Sequence, residues 1–394
     1  MIKPEIKEYP NYSISITSAD QKQVYIVLRV NAETKRRDYK SICKEMYTEI
    51  AFFIEEHKVF IFHERVFGSL ALHEVVLQIR KNIYENLQVS SNSPFTYVEG
   101  TPYWGEGIAG ISIHGIMIDD TDEMRYVSDE EEVCGIFLKN KDYQSLMLHS
   151  IHVKDNRLDS YSQTMLMFDR AKRVLEENGF SFTDVVRTWI YLADILAQYD
   201  DFNRVRNYKF KEFGLIQSEI ETGILEQIYL PASTGIGCNN PFLASGVMDV
   251  YAIKPSSDSN YIIRNETGKK QKSAYRYGSA FSRSMVVENE KRKAVYLSGT
   301  ASINEKGESV FIGDICGQID ETYKVIRDLI QNEDVTFDEL CEGTLFIKKA
   351  DYIHQHEKYV NETGLSQLPL IPIIADICRD DLLFEIDAAF VSNK

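Results

Sequence analysis

Apolar residues along this chain keep two rhythms, one of period two and one near 3.6, and the rhythms alternate in a fixed order. Short β-branched and aromatic runs predict strands at Val24–Val30 and Val59–Val66 and a closing strand at Gly110–Met117. Between them, helical spacing predicts helices over Tyr39–Glu56 and Leu72–Leu87. The order then recurs. A strand lies within Gln144–Val153, a helix runs from about Gln163 to Glu177, and a strand covers Val185–Leu192. A helix over about Asp200–Phe213 and a closing strand over Phe242–Tyr251 complete this second pass. In the third pass, Ala294–Leu297 and Ser309–Ile312 bracket a turn around Asn304–Gly307. A helix follows over Gln318–Gln331, with Tyr323, Ile326, Leu329 and Ile330 on one face. Leu345–Ile347 is a strand, Asp351–Glu362 a helix and Leu382–Val391 a long final strand. The polar segment from Pro255 to Lys272 reads as a loop or linker.

The second and third passes are one unit used twice. Gln163 and Gln318 stand 155 positions apart (318 − 163), as do Phe182 and Phe337 (337 − 182). A constant offset across a helix, a turn and a strand marks an internal repeat. With the more diverged first pass, the 394 residues divide into three units, expected at 1–135, 136–254 and 255–394.

Composition narrows the function. A net charge of −16 disfavours nucleic acid, whose phosphates need a basic footprint. No apolar run reaches the roughly 18–20 residues that span a bilayer, and the first residues lack an apolar signal core. A cytoplasmic protein with a small-molecule ligand, and neither nucleic acid nor membrane as partner, is the expectation. The six cysteines form no CxxC pair and read as reduced core thiols. His149 with His152 and His354 with His356 lack a completing ligand cluster, so no metal or other cofactor is expected.

Several segments resemble known families. Ser298-Gly299-Thr300-Ala301, Gly313-Asp314, Gln318 and Thr336-Phe337-Asp338 resemble the RidA/YjgF family of small trimeric proteins. That resemblance implies an α+β fold of chorismate mutase-like units, with mixed sheets forming a central barrel and helices outside. Ligand sites then lie in the clefts between units. The family's imine deaminases carry an Arg on the strand before the last. Here that stretch, Leu368–Ile374, has none. A closer resemblance is to the chorismatases, longer chains of RidA-like units. It rests on Val186–Leu192, Pro231–Gly237, Tyr275–Arg283 and Ile377–Ile386. The activity it implies is cofactor-free cleavage of chorismate to pyruvate plus a hydroxybenzoate or a dihydroxycyclohexadiene carboxylate.

Cleaving an enol ether requires a proton at the methylene carbon. An acid that delivers it near pH 7 needs a raised pKa, which burial supplies. Glu385, between Phe384 and Ile386 on the final strand, fits. Its counterpart in the second unit is Val247, whereas Asp387 matches Asp249. Strand alternation leaves open that Glu385 faces solvent. Two substrate carboxylates call for guanidinium partners, and Arg283 and Arg379 are the candidates. Arg187 is a third, although its counterpart Glu342 suggests a surface position. Tyr275 and Tyr277 are hydrogen-bond donors to a carboxylate or hydroxyl, or else core tyrosines. Thr234-Gly235 and Ser298-Gly299 offer small residues where backbone approaches a ligand, or tight turns. Cys378 resembles a family cysteine near the acid, as a nucleophilic or ring-directing thiol. It equally suits a small core position.

Two other readings stay open: a RidA-like deaminase or hydrolase of another small carboxylate, and a non-catalytic binding protein of this fold. Three units in one chain suggest a monomer that mimics a trimer.

Overall fold

The computed structural model describes residues 3–19, 22–31, 38–216, 229–266 and 279–394. The first unit contains β1 (Glu5–Glu8), β2 (Tyr12–Ala19), β3 (Gln23–Val30), α1 (Tyr39–His57), β4 (Val59–Gly68), α2 (His73–Asn86), β5 (Thr96–Glu99) and β6 (Ile108–Met117). The second contains β7 (Glu123–Asp129), β8 (Glu132–Lys139), β9 (Tyr143–Ile151), α3 (Ser160–Glu177), β10 (Val185–Leu192), α4 (Ile195–Glu212), β11 (Ala232–Gly237) and β12 (Gly246–Pro255). The third contains β13 (Ile262–Glu266), β14 (Ser284–Glu288), β15 (Arg292–Ala301), α5 (Ile315–Gln331), β16 (Leu340–Ile347), α6 (Ile353–Thr363), β17 (Leu370–Ile374) and β18 (Phe384–Asn393).

Each unit builds a six-stranded mixed sheet, and the three strand orders are equivalent: β1-β2-β3-β6-β4-β5, β7-β8-β9-β12-β10-β11 and β13-β14-β15-β18-β16-β17. In every sheet the last pair is parallel, as β16 with β17, and the closing strand lies at the centre. One face of each sheet packs on its own helices, for example Leu297, Ile326 and Phe390 in the third unit. The opposite faces share one central core, where Tyr25, Tyr251 and Tyr296 meet. The expected barrel is therefore three separate sheets around a common interior. Single bridges such as Ala232 to Ser282 join them; among the described residues no continuous ladder closes the cylinder.

The repeated glutamines have a local purpose. Gln163 bonds the Leu158 carbonyl and accepts from Ser245 N, just ahead of β12. Gln318 bonds the Asp381 carbonyl and accepts from Leu383 N, just ahead of β18. Each ties a helix start to the closing strand. Four helices begin at an Asp whose carboxylate accepts a first-turn N–H: Asp38, Asp159, Asp194 and Asp314. Such a cap contributes about 1 kcal/mol. It explains why α4 starts at Ile195 rather than near Asp200.

Other expectations need correction. Val310-Phe311-Ile312 is a turn, with Phe311 at φ 55° and both Phe311 and Ile312 exposed; only Ser309 makes a bridge, to Ile303. Phe242 and Leu243 likewise form a turn before β12. The expected linker contains β13. Strand β7 and part of β8 fall within 1–135 yet pair in the second sheet. No described helix is long and apolar enough to cross a membrane.

The pseudo-threefold relation is written in polar contacts. Strands β4, β10 and β16 each carry a bulge, and the residue after it is His63, Arg187 or Glu342. His63 Nε2 lies 3.0 Å from Asp249 of the second unit. Arg187 Nη2 donates to Asp387 of the third at 3.1 Å. Glu342 accepts from Ser112 of the first at 2.6 Å and pairs with Arg65 at 3.3 Å. The three partners also occupy one homologous position, so the contacts run cyclically. Arg187 is only 1 % exposed, which overturns its expected surface placement.

Candidate active site

One cleft, between the second and third units, gathers much of the predicted chemistry. Glu385, Cys378, Arg379, Arg283, Gly235 and Gly299 all line it. Glu385 comes from β18, the central strand of its sheet, and is 4 % exposed. It does not face solvent. Burial, with the Asp387 carboxylate two residues on, raises its pKa to about 8, against the opposing pull of Arg283 and Arg187. Glu385 is therefore a neutral acid at pH 7.

Gly299 makes room for that acid. The β15–β18 register slips between Leu297 and Thr300. A Cβ at Gly299 would overlap Glu385 Oε1 and sit 2.9 Å from its carboxyl carbon. Ser298 at the same slip holds the units together: its hydroxyl donates to Ser282 O at 2.6 Å and accepts from Ser233 N at 2.8 Å. It is a tether, not a ligand contact. Thr234 points the other way. Its hydroxyl donates to Asp387 at 3.1 Å and receives Arg187 Nη2 at 2.5 Å, so it anchors the interior carboxylate. Tyr275 and Tyr277 lie outside the described residues.

Two residues of α4 complete the cleft and escaped the sequence reading: Tyr199 and Arg206. Arg206 donates to Asn203 Oδ1 at 2.6 Å, bonds Tyr199, and lies over the rings of Phe202 (5.0 Å) and Phe281 (5.4 Å). Its partners are all neutral. Arg283, 2 % exposed, lies over Phe281 at 5.4 Å, and burial lowers its pKa to about 10. Arg379 stands half-buried, with Nη1 donating to Gly307 O at 2.7 Å. The sequence did hold a signal for Arg206. It sits four residues from both Phe202 and Phe210, inside the apolar stripe of its helix.

Cys378 keeps its proton. Burial, reinforced by the neighbouring Glu385, pushes the thiol up to about 12. A thiolate nucleophile is thus disfavoured in this setting. Tyr199, its hydrogen-bond partner, is likewise raised by burial to about 12.

The cleft is tight, with about 40 Å³ of free volume, whereas those between the first and second units and between the third and first hold about 600 and 480 Å³. Volume and chemistry disagree. Chemistry is the better guide here, because this cleft holds a protonated acid among guanidinium groups.

Comparison with known proteins agrees with the architecture. The sequence model for endoribonuclease L-PSP matches residues 151–228. A crystal structure of a chorismatase superposes with TM-score 0.59 at 15% identity, covering 84% of this chain and 93% of that one. A Rid-family protein of unknown function from Yersinia pestis matches at 22% identity and TM-score 0.25, covering 28% of this chain and 90% of its own. A hypothetical protein from Giardia lamblia matches at 15% and 0.28, covering 33% and 98%. No curated protein sequence matches. The fold is that of the chorismatase structure, with three equivalent units in one chain.

Proposed function

We propose that this protein is a hydrolase that cleaves the enolpyruvyl ether of chorismate. The observation that carries the reading is Glu385: a buried carboxylic acid, neutral near pH 7, in a cleft that also holds Arg206, Arg283 and Arg379. The arginines bind the two substrate carboxylates, and Phe281 holds two of them from below by cation–π contact. Glu385 gives its proton to the terminal methylene carbon, which becomes the methyl of pyruvate. The adjoining ether carbon gains oxocarbenium character. Water adds there and returns a proton to the Glu385 carboxylate. The hemiketal then collapses: the bond between its carbon and the ring oxygen breaks, the hemiketal hydroxyl gives up its proton as the pyruvate carbonyl forms, and the ring oxygen takes a proton from the regenerated Glu385 acid and stays on the ring as a hydroxyl. Cys378 acts as a neutral thiol against the ring.

Access requires movement at the mouth, since about 40 Å³ holds little more than water. Arg379 is the gate in this reading, because its Nη1 is held only by the Gly307 carbonyl and, at 3.5 Å, by Ser309. The chain works as a monomer, with all three units supplied in cis, in the cytoplasm. Incubation with chorismate and a lactate dehydrogenase-coupled assay tests the activity. Pyruvate should form in stoichiometric amount with a ring product; background levels of pyruvate would overturn the proposal.

A further inference from the structure

The cleft between the third and first units is a second built cavity, remote from Glu385. Its volume of about 480 Å³ is in the range of small-molecule sites. Strand β3 forms one wall, and α6 with the approach to β17 forms the other. Val30, Val360, Leu368, Leu370 and Pro372 make the lining largely apolar.

Two charges face into this apolar space. Arg29 of β3 is half-buried, and no hydrogen bond or ion pair to its guanidinium is found among the described residues. Burial lowers its pKa, while Glu8, Tyr103 and Glu357 act on it from a distance. Glu357, on the opposite wall, makes no ion pair with Arg29; its partner is His354. His356, between them in sequence terms, contributes no cation, because its Nε2 is engaged by Tyr323 at 2.9 Å and burial lowers its pKa to about 3. A guanidinium with its donors unused in such a cleft recruits a carboxylate. A bare carboxylate would also meet Glu357, a like charge, unless the ligand carries a cation of its own.

We propose that this cleft binds a free α-amino acid with an apolar side chain, its carboxylate on Arg29 and its ammonium group toward Glu357. The site binds without transforming. Arg29 pairs in register with Gly110, which occupies in β6 the place that Glu385 occupies in β18, so no acid is present there. The inference stands apart from chorismate cleavage.

Isothermal titration of the full chain tests it, with L-phenylalanine, 3-phenylpropionate and 2-phenylethylamine as probes. L-Phenylalanine should bind saturably, and each analogue should bind at least about tenfold more weakly, a 1.4 kcal/mol difference. Arg29→Met should weaken L-phenylalanine at least about tenfold. Glu357→Gln should reverse the preference, so that 3-phenylpropionate equals or exceeds L-phenylalanine. Arg283→Met, in the other cleft, should leave L-phenylalanine binding unchanged. The proposal is overturned by no saturable heat at about 10 mM L-phenylalanine, by binding that survives Arg29→Met, or by binding lost in Arg283→Met. Should Arg29→Met not fold, the half-buried helical position of Glu357 still allows the reversal to decide.

Discussion

Two clefts built from equivalent elements treat a helical arginine in opposite ways. Between the first and second units, Arg80 of α2 is saturated by its own chain. It donates to Glu64 through Nε at 3.0 Å and Nη2 at 2.8 Å, and to the carbonyls of Ser91 and Ser93. Between the second and third units, Arg206 of α4 meets an amide, a phenol and two aromatic faces. The closing-strand position that reads Val247 in the second unit reads Glu385 in the third. One cleft has its positive charge consumed internally and lacks the acid. The other leaves a cation for an anionic ligand and adds a proton donor. Equivalent architecture therefore fixes where clefts lie, and a few side chains decide what each one offers a ligand.

The comparison can be broken most severely at Glu385. Glu385→Gln should lower pyruvate formation by about 10²–10⁴-fold, the usual contribution of a general acid. The variant should also be more stable than the parent at pH 8 and less distinct at pH 4.5. The sign follows from a folded pKa of about 8 against an ordinary 4.5. The folded state holds a proton that the unfolded chain has released, so stability falls as pH rises between these values. Thermal melts at the two pH values check it. Parental activity should fade as pH rises through about 8, because the acid is then ionised.

Next in size is the interior pair behind the acid. Arg187→Met removes the nearer of two guanidinium partners of buried Asp387, at 3.1 Å against 3.9 Å for Arg65, and loss of one partner of a buried pair costs about 3–5 kcal/mol. Urea titration should show that loss; an unchanged midpoint would mean that Asp387 is served by Thr234, the Thr344 N–H and Arg65. Gly299→Ala should cost about 1–3 kcal/mol through overpacking and should impair pyruvate formation, because the new methyl group displaces the Glu385 carboxyl. The smallest effect belongs to Cys378→Ser. With its thiol protonated, the substitution should change the rate by less than about tenfold. A loss as large as that at Glu385 would restore the nucleophile reading.

Much of this was legible in one sequence, for physical reasons. The 155-residue offset survived because Gln163 and Gln318 each close a helix onto a strand, a geometric task that tolerates little change. Comparing copies marked Glu385 as a candidate, since it stands where the second unit has Val247, and the structure buries it rather than turning it to solvent. The same comparison misplaced Arg187. Opposite in charge, Arg187 and Glu342 looked like variable surface. They are buried near the pseudo-threefold axis, where the units meet and complementary differences between copies are what pack. Tyr199 and Arg206 stayed hidden because they reach the cleft from the neighbouring unit, more than a hundred residues before Glu385. Phe311 and Ile312 misled in the other direction, their apolar character suggesting a strand where a positive φ makes a turn.

The central claim is that the Glu385 carboxyl is held neutral at physiological pH for use as an acid. Carbon-13 NMR of protein labelled at the glutamate carboxyl carbon, titrated beside Glu385→Gln, measures it directly. The account predicts one resonance that titrates near 8 and vanishes in the variant. If every glutamate titrates below about 5, Glu385 is an ordinary carboxylate and the account fails.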